Sequence, residues 1–262
     1  MRTPTVNPTS PVLAVRGLSK HFGGVKALDG IDLDIHAGEL LGVIGPNGAG
    51  KTALINTITG FYRASGGSIR LQGREISQLP MHRIGRLGIG RSFQNIRLFK
   101  RMSVLENVLV AFKRDSASPL RSLLRLGPAR QGVARAMQLL EQLQLADRAD
   151  TLAASLSYGD ARRLEIARAL AGEPQLLLLD EPAAGMNETE TEQLVNDIRT
   201  VKHRVGAILL IEHDMSLIRA LSDRIVAMDY GKKIAEGAPA EVLEHPEVLK
   251  AYLGSETEEA LA

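Results

Sequence analysis

The octapeptide GPNGAGKT, Gly45 to Thr52, has the pattern G-x-x-x-x-G-K-S/T. It follows a strand predicted over Glu39–Ile44 and opens a helix predicted from Lys51, the context that gives the pattern meaning. Its glycines permit positive φ and leave room for phosphate oxygens against the backbone. The N–H groups of Gly45, Asn47, Gly48, Ala49 and Gly50, in a loop bent at Pro46, then form a nest around a β-phosphate. Lys51 reaches the β- and γ-phosphates, and the Thr52 hydroxyl is a candidate Mg²⁺ ligand. A second stretch, LLLLDEP, Leu176 to Pro182, is a buried strand ending in two acids. Charges seldom sit there without partners, because desolvating them is costly. Alone it would be a strand closing in a polar turn. Beside a phosphate loop it completes an ion site: Asp180 holds Mg²⁺ through water, and Glu181 is the candidate base for an attacking water. The cofactors implied are ATP and Mg²⁺.

A third stretch, LSYGDARRLEIARAL, Leu156 to Leu170, is a polar turn running into a basic amphipathic helix. Ser157 and the N–H of Gly159 stand at a helix N-terminus, which favours an anion. No ligand for it lies nearby in the sequence. Three single residues sit where strands give way to loops: Phe22 before Gly23 and Gly24, Gln94 in RSFQN, and His213 in LLIEHDM. The other histidines, His21, His36, His82, His203 and His245, have no metal-site spacing.

These stretches need elements to hold them. Val12–Leu18 and Ala27–Ile35 alternate apolar and polar residues, as half-exposed antiparallel strands do. Gly67–Leu71 and Gly88–Phe93 are further short strands. From Gln94 to Ala154 the texture turns helical. Ser103 and Glu106 form a capping-box pattern, and Val133, Met137, Leu140 and Leu143 of a helix over Gln131–Leu145 share a face. Ser116–Arg130, with two prolines and LRSLLRL, reads as a loop. The α/β rhythm then returns with strands at Gln175–Leu179 and Ala207–Ile211, helices capped by Asn187 and Asp214, and a hairpin over Arg224–Glu236 turning at YGKK. An α/β core interrupted by a helical insertion results.

Composition agrees with one large domain: 262 residues, 44% hydrophobic and no cysteine. Nothing approaches the roughly 18 consecutive apolar residues of a spanning helix. The start, MRTPTVNPTSP, has the Pro/Thr/Ser character of a disordered lead-in rather than a signal peptide, which predicts a cytoplasmic protein. Net charge is +2, yet residues 81–135 carry twelve Arg and Lys against Glu106 and Asp115. A solvated face, an anionic membrane surface and nucleic acid all accommodate such a segment.

The set of motifs resembles the ATP-binding subunits of ABC transporters over roughly Val12 to Gly254. GPNGAGKT is similar to the family's Walker A, LLLLDEP to its Walker B, and LSYGD to its signature, normally LSGGQ. By that resemblance Gln94 is the Q-loop glutamine, touching the γ-phosphate region and Mg²⁺, His213 the switch histidine, and Phe22 the aromatic against adenine. The resemblance implies a P-loop NTPase core with a small antiparallel β-subdomain and an inserted α-helical subdomain, about 94–170. It further implies a single ATPase domain over 12–254, between a lead at 1–11 and an acidic tail at 255–262. Head-to-tail dimerisation follows from it too, with Ser157 and Gly159 contacting the partner subunit's ATP.

Within the family, QNIRLFKRMSVLENVLVA, DEPAAGMN, LLIEHDM and the ending KAYLG resemble the LivG-type subunits of branched-chain amino acid importers. Such a subunit serves two transmembrane permease subunits, a second ATPase subunit, identical or different, and, through the permease, an extracytoplasmic substrate-binding protein. It works at the cytoplasmic face of the inner membrane, with no nucleic acid. An exporter ATPase of the lipopolysaccharide-transport type is the alternative. A DNA-repair or translation ATPase fits less well, since the chain has one cassette and no heptad run. Three positions depart from the family pattern. Ala53 stands where a second hydroxyl usually nears the α-phosphate, Asp160 ends the signature, and Asn187 replaces the D-loop aspartate.

Overall fold

A computed structural model describes residues 10–112 and 126–259, with side chains described for all but 126–130 and 254–259. The lead-in up to Thr9 and most of the Ser116–Arg130 loop, LRSLLRL nearly whole, lie outside the described residues.

Two sheets organise the chain. Strands β1 (Leu13–Phe22), β2 (Val25–Ile35), β4 (Gly66–Leu71) and β5 (Arg74–Glu75) form an antiparallel sheet in the order β2-β1-β4-β5. The second sheet contains β3 (Leu40–Ile44), β6 (Ile89–Arg91), β7 (Leu176–Asp180), β8 (Ala207–Ile211), β9 (Arg224–Asp229) and β10 (Lys232–Gly237), ordered β10-β9-β3-β8-β7-β6. It is parallel except at the β9–β10 hairpin. β3, β7 and β8 are buried at every position, hence their unbroken apolar runs. Such runs mark strands covered on both faces. Leu177, Leu179, Ile208 and Leu210 face one core, shared with the helical insertion. Leu176, Leu178, Leu209 and Ile211 face the other, shared with the antiparallel sheet and α1 (Lys51–Ile58). The parallel strands therefore deliver their C-terminal residues to one edge, where ligands of α/β sheets bind.

The helical insertion follows β6. Helix α2 (Met81–Leu87) precedes that strand. Helix α3 (Val104–Ala111) has the capping box the sequence predicts: Ser103 Oγ accepts from Glu106 N at 3.1 Å, and Glu106 Oε2 accepts from Ser103 N at 2.8 Å. Helix α4 (Leu126–Gln142) starts earlier than the predicted Gln131, and Val133 is exposed. Leu140 and Leu143 are buried as predicted and Met137 packs against that core, joined by Ala136 and Leu139. Helix α5 (Tyr158–Ala171) closes the insertion against α3 and α4. Beyond it come α6 (Glu188–Lys202), capped by Asn187, α7 (Met215–Leu221), capped by Asp214, α8 (Pro239–Leu243) and α9 (Pro246–Glu259). Helix α9 runs on to Glu259, through most of the stretch predicted as an acidic tail.

A buried ion pair joins α5 to α6. Arg163 Nε donates to Asp197 Oδ2 at 2.9 Å. Burial nevertheless pushes the Asp197 carboxyl up to about 6. A carboxyl raised in the folded state stabilises it most below the unfolded pKa of about 3.9, and that contribution is lost as pH rises through the folded value. Asp197→Asn is therefore expected to flatten the stability curve between about pH 4 and 6. Urea unfolding across that window checks it; an unchanged slope would assign the titration to another group.

Candidate active site

The loop after β3 is shaped by close backbone approaches. A Cβ on Gly45 (φ 151°) would lie 2.2 Å from Met228 O, and one on Gly50 (φ 102°) would lie 2.5 Å from Ala27 O. Gly50 is the N-cap of α1 and supplies no side-chain cap, so the first-turn N–H groups face the loop without one. Asn47, Gly48 and Thr52 are exposed, Pro46 and Ala49 buried, and Ala53 half-buried. Lys51 is buried and folded onto its own loop, Nζ donating to Gly45 O at 2.5 Å and Pro46 O at 2.9 Å. Burial lowers its pKa, opposed by the Glu181 and Asp180 charges. A buried ammonium held only by neutral carbonyls is poised to exchange them for phosphate oxygens.

At the end of β7 the two acids take different environments. Asp180 is buried, and its Oδ2 accepts from Arg91 Nη2 at 2.9 Å. Burial raises its pKa, and the Arg91 hydrogen bond opposes this. Glu181 stands at φ 48°, a left-handed conformation unusual for a residue with a side chain. Its two oxygens have separate partners: Gln94 Nε2 donates to Oε2 at 2.6 Å, and His213 Nε2 pairs with Oε1 at 2.7 Å. The ends of β6, β7 and β8 thus bring together Gln94, Glu181 and His213, residues far apart in sequence.

The signature stretch behaves as a helix start. Ser157 Oγ accepts from Asp160 N at 3.2 Å and donates to Asp160 Oδ2 at 2.8 Å. Asp160 is also paired with Arg148 and Arg163. Gly159 is buried, and a Cβ there would meet Glu190 Oε1 at 3.0 Å. A Cβ there would have to push the Glu190 side chain aside by a few tenths of an ångström. Phe22 ends β1, exposed, with its ring edge-on to Tyr62 at 4.9 Å and Lys20 Nζ 4.6 Å over its centroid. That gives an open aromatic face beside a cation.

Sequence reasoning passed over several residues that the structure places here. As a letter Arg91 is one of twelve cations in a basic segment, yet its half-buried side chain is paired with Asp180, Asn56 and Thr59. Glu212 is buried and accepts from Ala183 N at 2.7 Å and His213 N at 3.1 Å; burial raises its pKa. Tyr252 Oη accepts from Gly45 N at 2.8 Å, and burial pushes its hydroxyl up to about 12. Only a polar residue within an apolar run, such as Glu212 after Ala207–Ile211, carried a signal.

A glycine-rich loop before a helix, a strand-end acid pair and a glutamine and histidine on the second acid define a P-loop nucleoside triphosphatase with a helical insert. Residues 28–184 match the family described as ABC transporter. Residues 232–258 match the one described as branched-chain amino acid ATP-binding cassette transporter. The chain is 44% identical over 252 residues to the high-affinity branched-chain amino acid transport ATP-binding protein LivG of Salmonella typhimurium, covering 94% of this chain and 99% of the relative. It is 45% identical over 251 residues to BraF of Pseudomonas aeruginosa, a high-affinity branched-chain amino acid transport ATP-binding protein, covering 93% and 98%. A crystal structure of the ADP conformation of an ATP-binding cassette of an ABC transporter superposes with a TM-score of 0.83 at 34% identity, covering 94% of this chain and all of that one. The chain belongs to the ABC transporter family, as an ATP-binding cassette that hydrolyses ATP. Among the described residues no helix is long and apolar enough to cross a membrane.

Proposed function

We propose that this cassette powers import of branched-chain amino acids through separate permeases. The single observation that carries its chemistry is the Glu181 carboxylate held between Gln94 and His213 at the sheet edge that also carries Lys51. Glu181 orients and deprotonates the attacking water, which takes over one of its two hydrogen bonds. His213 contacts the γ-phosphate, and Gln94 reports the site's state to the insertion. The Walker A loop, Gly45 to Ala53, cradles the phosphates. Phe22 stacks on adenine.

Mg²⁺ fits the donors present. Thr52 and Asp180 offer hard oxygens, and among the described residues no cluster of three acids or histidines forms a cage. Mg²⁺ prefers such a setting, keeping waters and taking its other ligands from phosphates. When bound it neutralises charge developing on the phosphates.

Two cassettes close head to tail, Ser157 and Gly159 of each facing the ATP of the other. The second cassette is identical or different, the permease comprises two transmembrane subunits, and an extracytoplasmic binding protein delivers substrate. The cassette sits peripherally at the cytoplasmic membrane face. Residues 12–254 act as one ATPase domain, with the helical subdomain of about 94–170 against the permease. The import reading rests on the LivG and BraF likenesses together with the C-terminal match.

Titration with a fluorescent ATP analogue tests the cradle. Lys51→Ala removes charge-assisted hydrogen bonds of about 1.5–3 kcal/mol, so affinity is expected to fall roughly ten- to a hundredfold. Unchanged affinity would refute the P-loop geometry. For substrate, the cassette assembled with its permeases and binding protein in vesicles is expected to hydrolyse ATP faster with leucine, isoleucine or valine outside. Stimulation by none of the three would refute the substrate class.

A further inference from the structure

Among the described residues Arg162 is the largest fully buried charged side chain, and the hydrolytic chemistry above gives it no task. It lies one turn into α5, at 0% exposure. Its Nη1 donates to Phe93 O at 2.5 Å and to Glu165 Oε2 at 2.8 Å. Its Nη2 donates to Gln94 O at 2.8 Å and to Tyr158 Oη at 3.3 Å. A buried guanidinium is tolerated only when such partners replace water. Two of its acceptors are consecutive carbonyls of the Gln94 loop, so Arg162 fixes the backbone from which the Gln94 side chain reaches Glu181.

Tyr158 extends the connection in the other direction. Its hydroxyl donates to Ala184 O at 2.8 Å. Ala184 N donates in turn to Glu181 O at 3.2 Å. Gly185 follows at φ 80°, a left-handed conformation that favours glycine, beside the tyrosine ring. The bonds close on themselves, from Arg162 to Gln94, to the Glu181 carboxylate, through the Glu181 carbonyl to Ala184, to Tyr158 and back to Arg162. The ring grips Glu181 at both ends, side chain and backbone. Its left-handed φ of 48° is a conformation that persists only where its surroundings enforce it.

We propose that Tyr158 and Arg162 are positioning residues for ATP hydrolysis, holding Gln94 and Glu181 of their own chain in register from the start of α5. The inference rests on Glu181 as the catalytic carboxylate. It gives the tyrosine of LSYGD a role within its own chain. It also predicts that whatever moves the start of α5 moves the hydrolytic groups.

Tyr158→Phe is the cleanest test, since it deletes one hydroxyl and keeps the ring. In the full chain, kcat for ATP hydrolysis is expected to fall about three- to tenfold as the hydroxyl's two hydrogen bonds are lost, with KM unchanged within about twofold. The thermal midpoint stays within about 2 °C, the shift of at most 1 kcal/mol. Unchanged kcat, or a loss wholly in KM, overturns the proposal. Arg162→Lys keeps the buried charge but cannot span both carbonyls and Tyr158 at once. Its loss of kcat should largely vanish in a Gln94→Ala background, because it acts through Gln94; full additivity overturns that arm. Glu181→Gln and the unaltered chain run alongside. If Glu181→Gln turns over normally, the assignment of the base fails; if it is slow while Tyr158→Phe is not, only the positioning role fails.

Discussion

Replacing Glu181 with glutamine is expected to slow ATP hydrolysis by about 10²–10⁴-fold while ATP remains bound, the usual worth of a general base. Glutamine keeps the size and planarity of the side chain and its left-handed backbone. It keeps one oxygen, which can still accept from Gln94 Nε2, as Oε2 does at 2.6 Å. What it loses is the charge and the second acceptor facing His213, now 2.7 Å away. Lys51 contacts its own loop carbonyls rather than Glu181, so nucleotide binding should survive. Single-turnover hydrolysis and filter retention of labelled ATP separate the two effects. The variant should also accumulate as an ATP-bound dimer, visible as a doubled mass by light scattering. Turnover near that of the unaltered chain would falsify the assignment. Loss of ATP together with turnover would instead place Glu181 in binding.

Much of this site is legible in the sequence because its parts are backbone features. The phosphate loop needs glycines at fixed offsets, and a Cβ on Gly45 or Gly50 would collide with a carbonyl oxygen. Buried parallel strands need apolar runs, so Leu176–Leu179 and Ala207–Ile211 announce themselves, and the polar residues ending them mark the functional edge. The Asn187 and Asp214 caps are equally local. What sequence hides is pairing across the fold. Arg91 and Asp180 are separated by 89 residues, and Arg162 and Phe93 by 69. Neither arginine differs, as a letter, from the solvated ones around it. The extent of the basic segment misleads for the same reason. Arg91 is half-buried against Asp180, and Arg97 lies over the Phe93 ring at 4.6 Å, so this stretch is not a uniformly solvated face. Gly159 is legible as a small residue at a helix start, and the side-chain atom nearest that position in this chain is Glu190 Oε1.

Arg91→Met is expected to destabilise the chain by about 3–5 kcal/mol, the typical cost of leaving one half of a buried ion pair without its partner. The side chains of Arg91 and Asp180 are 10% and 6% exposed, and 2.9 Å separates Nη2 from Oδ2. Water therefore cannot replace the guanidinium without opening the core beside β7. Arg91 Nη1 also donates to Asn56 Oδ1 at 2.7 Å and Thr59 Oγ1 at 3.1 Å, so the same group ties the end of α1 to the ends of β6 and β7. Methionine fills similar space, so the loss is electrostatic rather than a cavity effect. For a chain of this size the thermal midpoint should drop by roughly 10 °C. Asp180→Asn alone strands the arginine instead and should also destabilise. The double variant Arg91→Met, Asp180→Asn removes both charges, and replacing a buried pair by neutral groups is often close to neutral. It should therefore recover most of the about 3–5 kcal/mol lost in Arg91→Met alone, read by urea unfolding, and be more stable than either single variant. Strict additivity of the two single losses would mean that the pair does not interact in the folded chain. The double variant separates stability from chemistry as well. It regains its fold without a carboxylate at position 180, so Mg²⁺-dependent ATP hydrolysis should stay lost while the thermal midpoint returns.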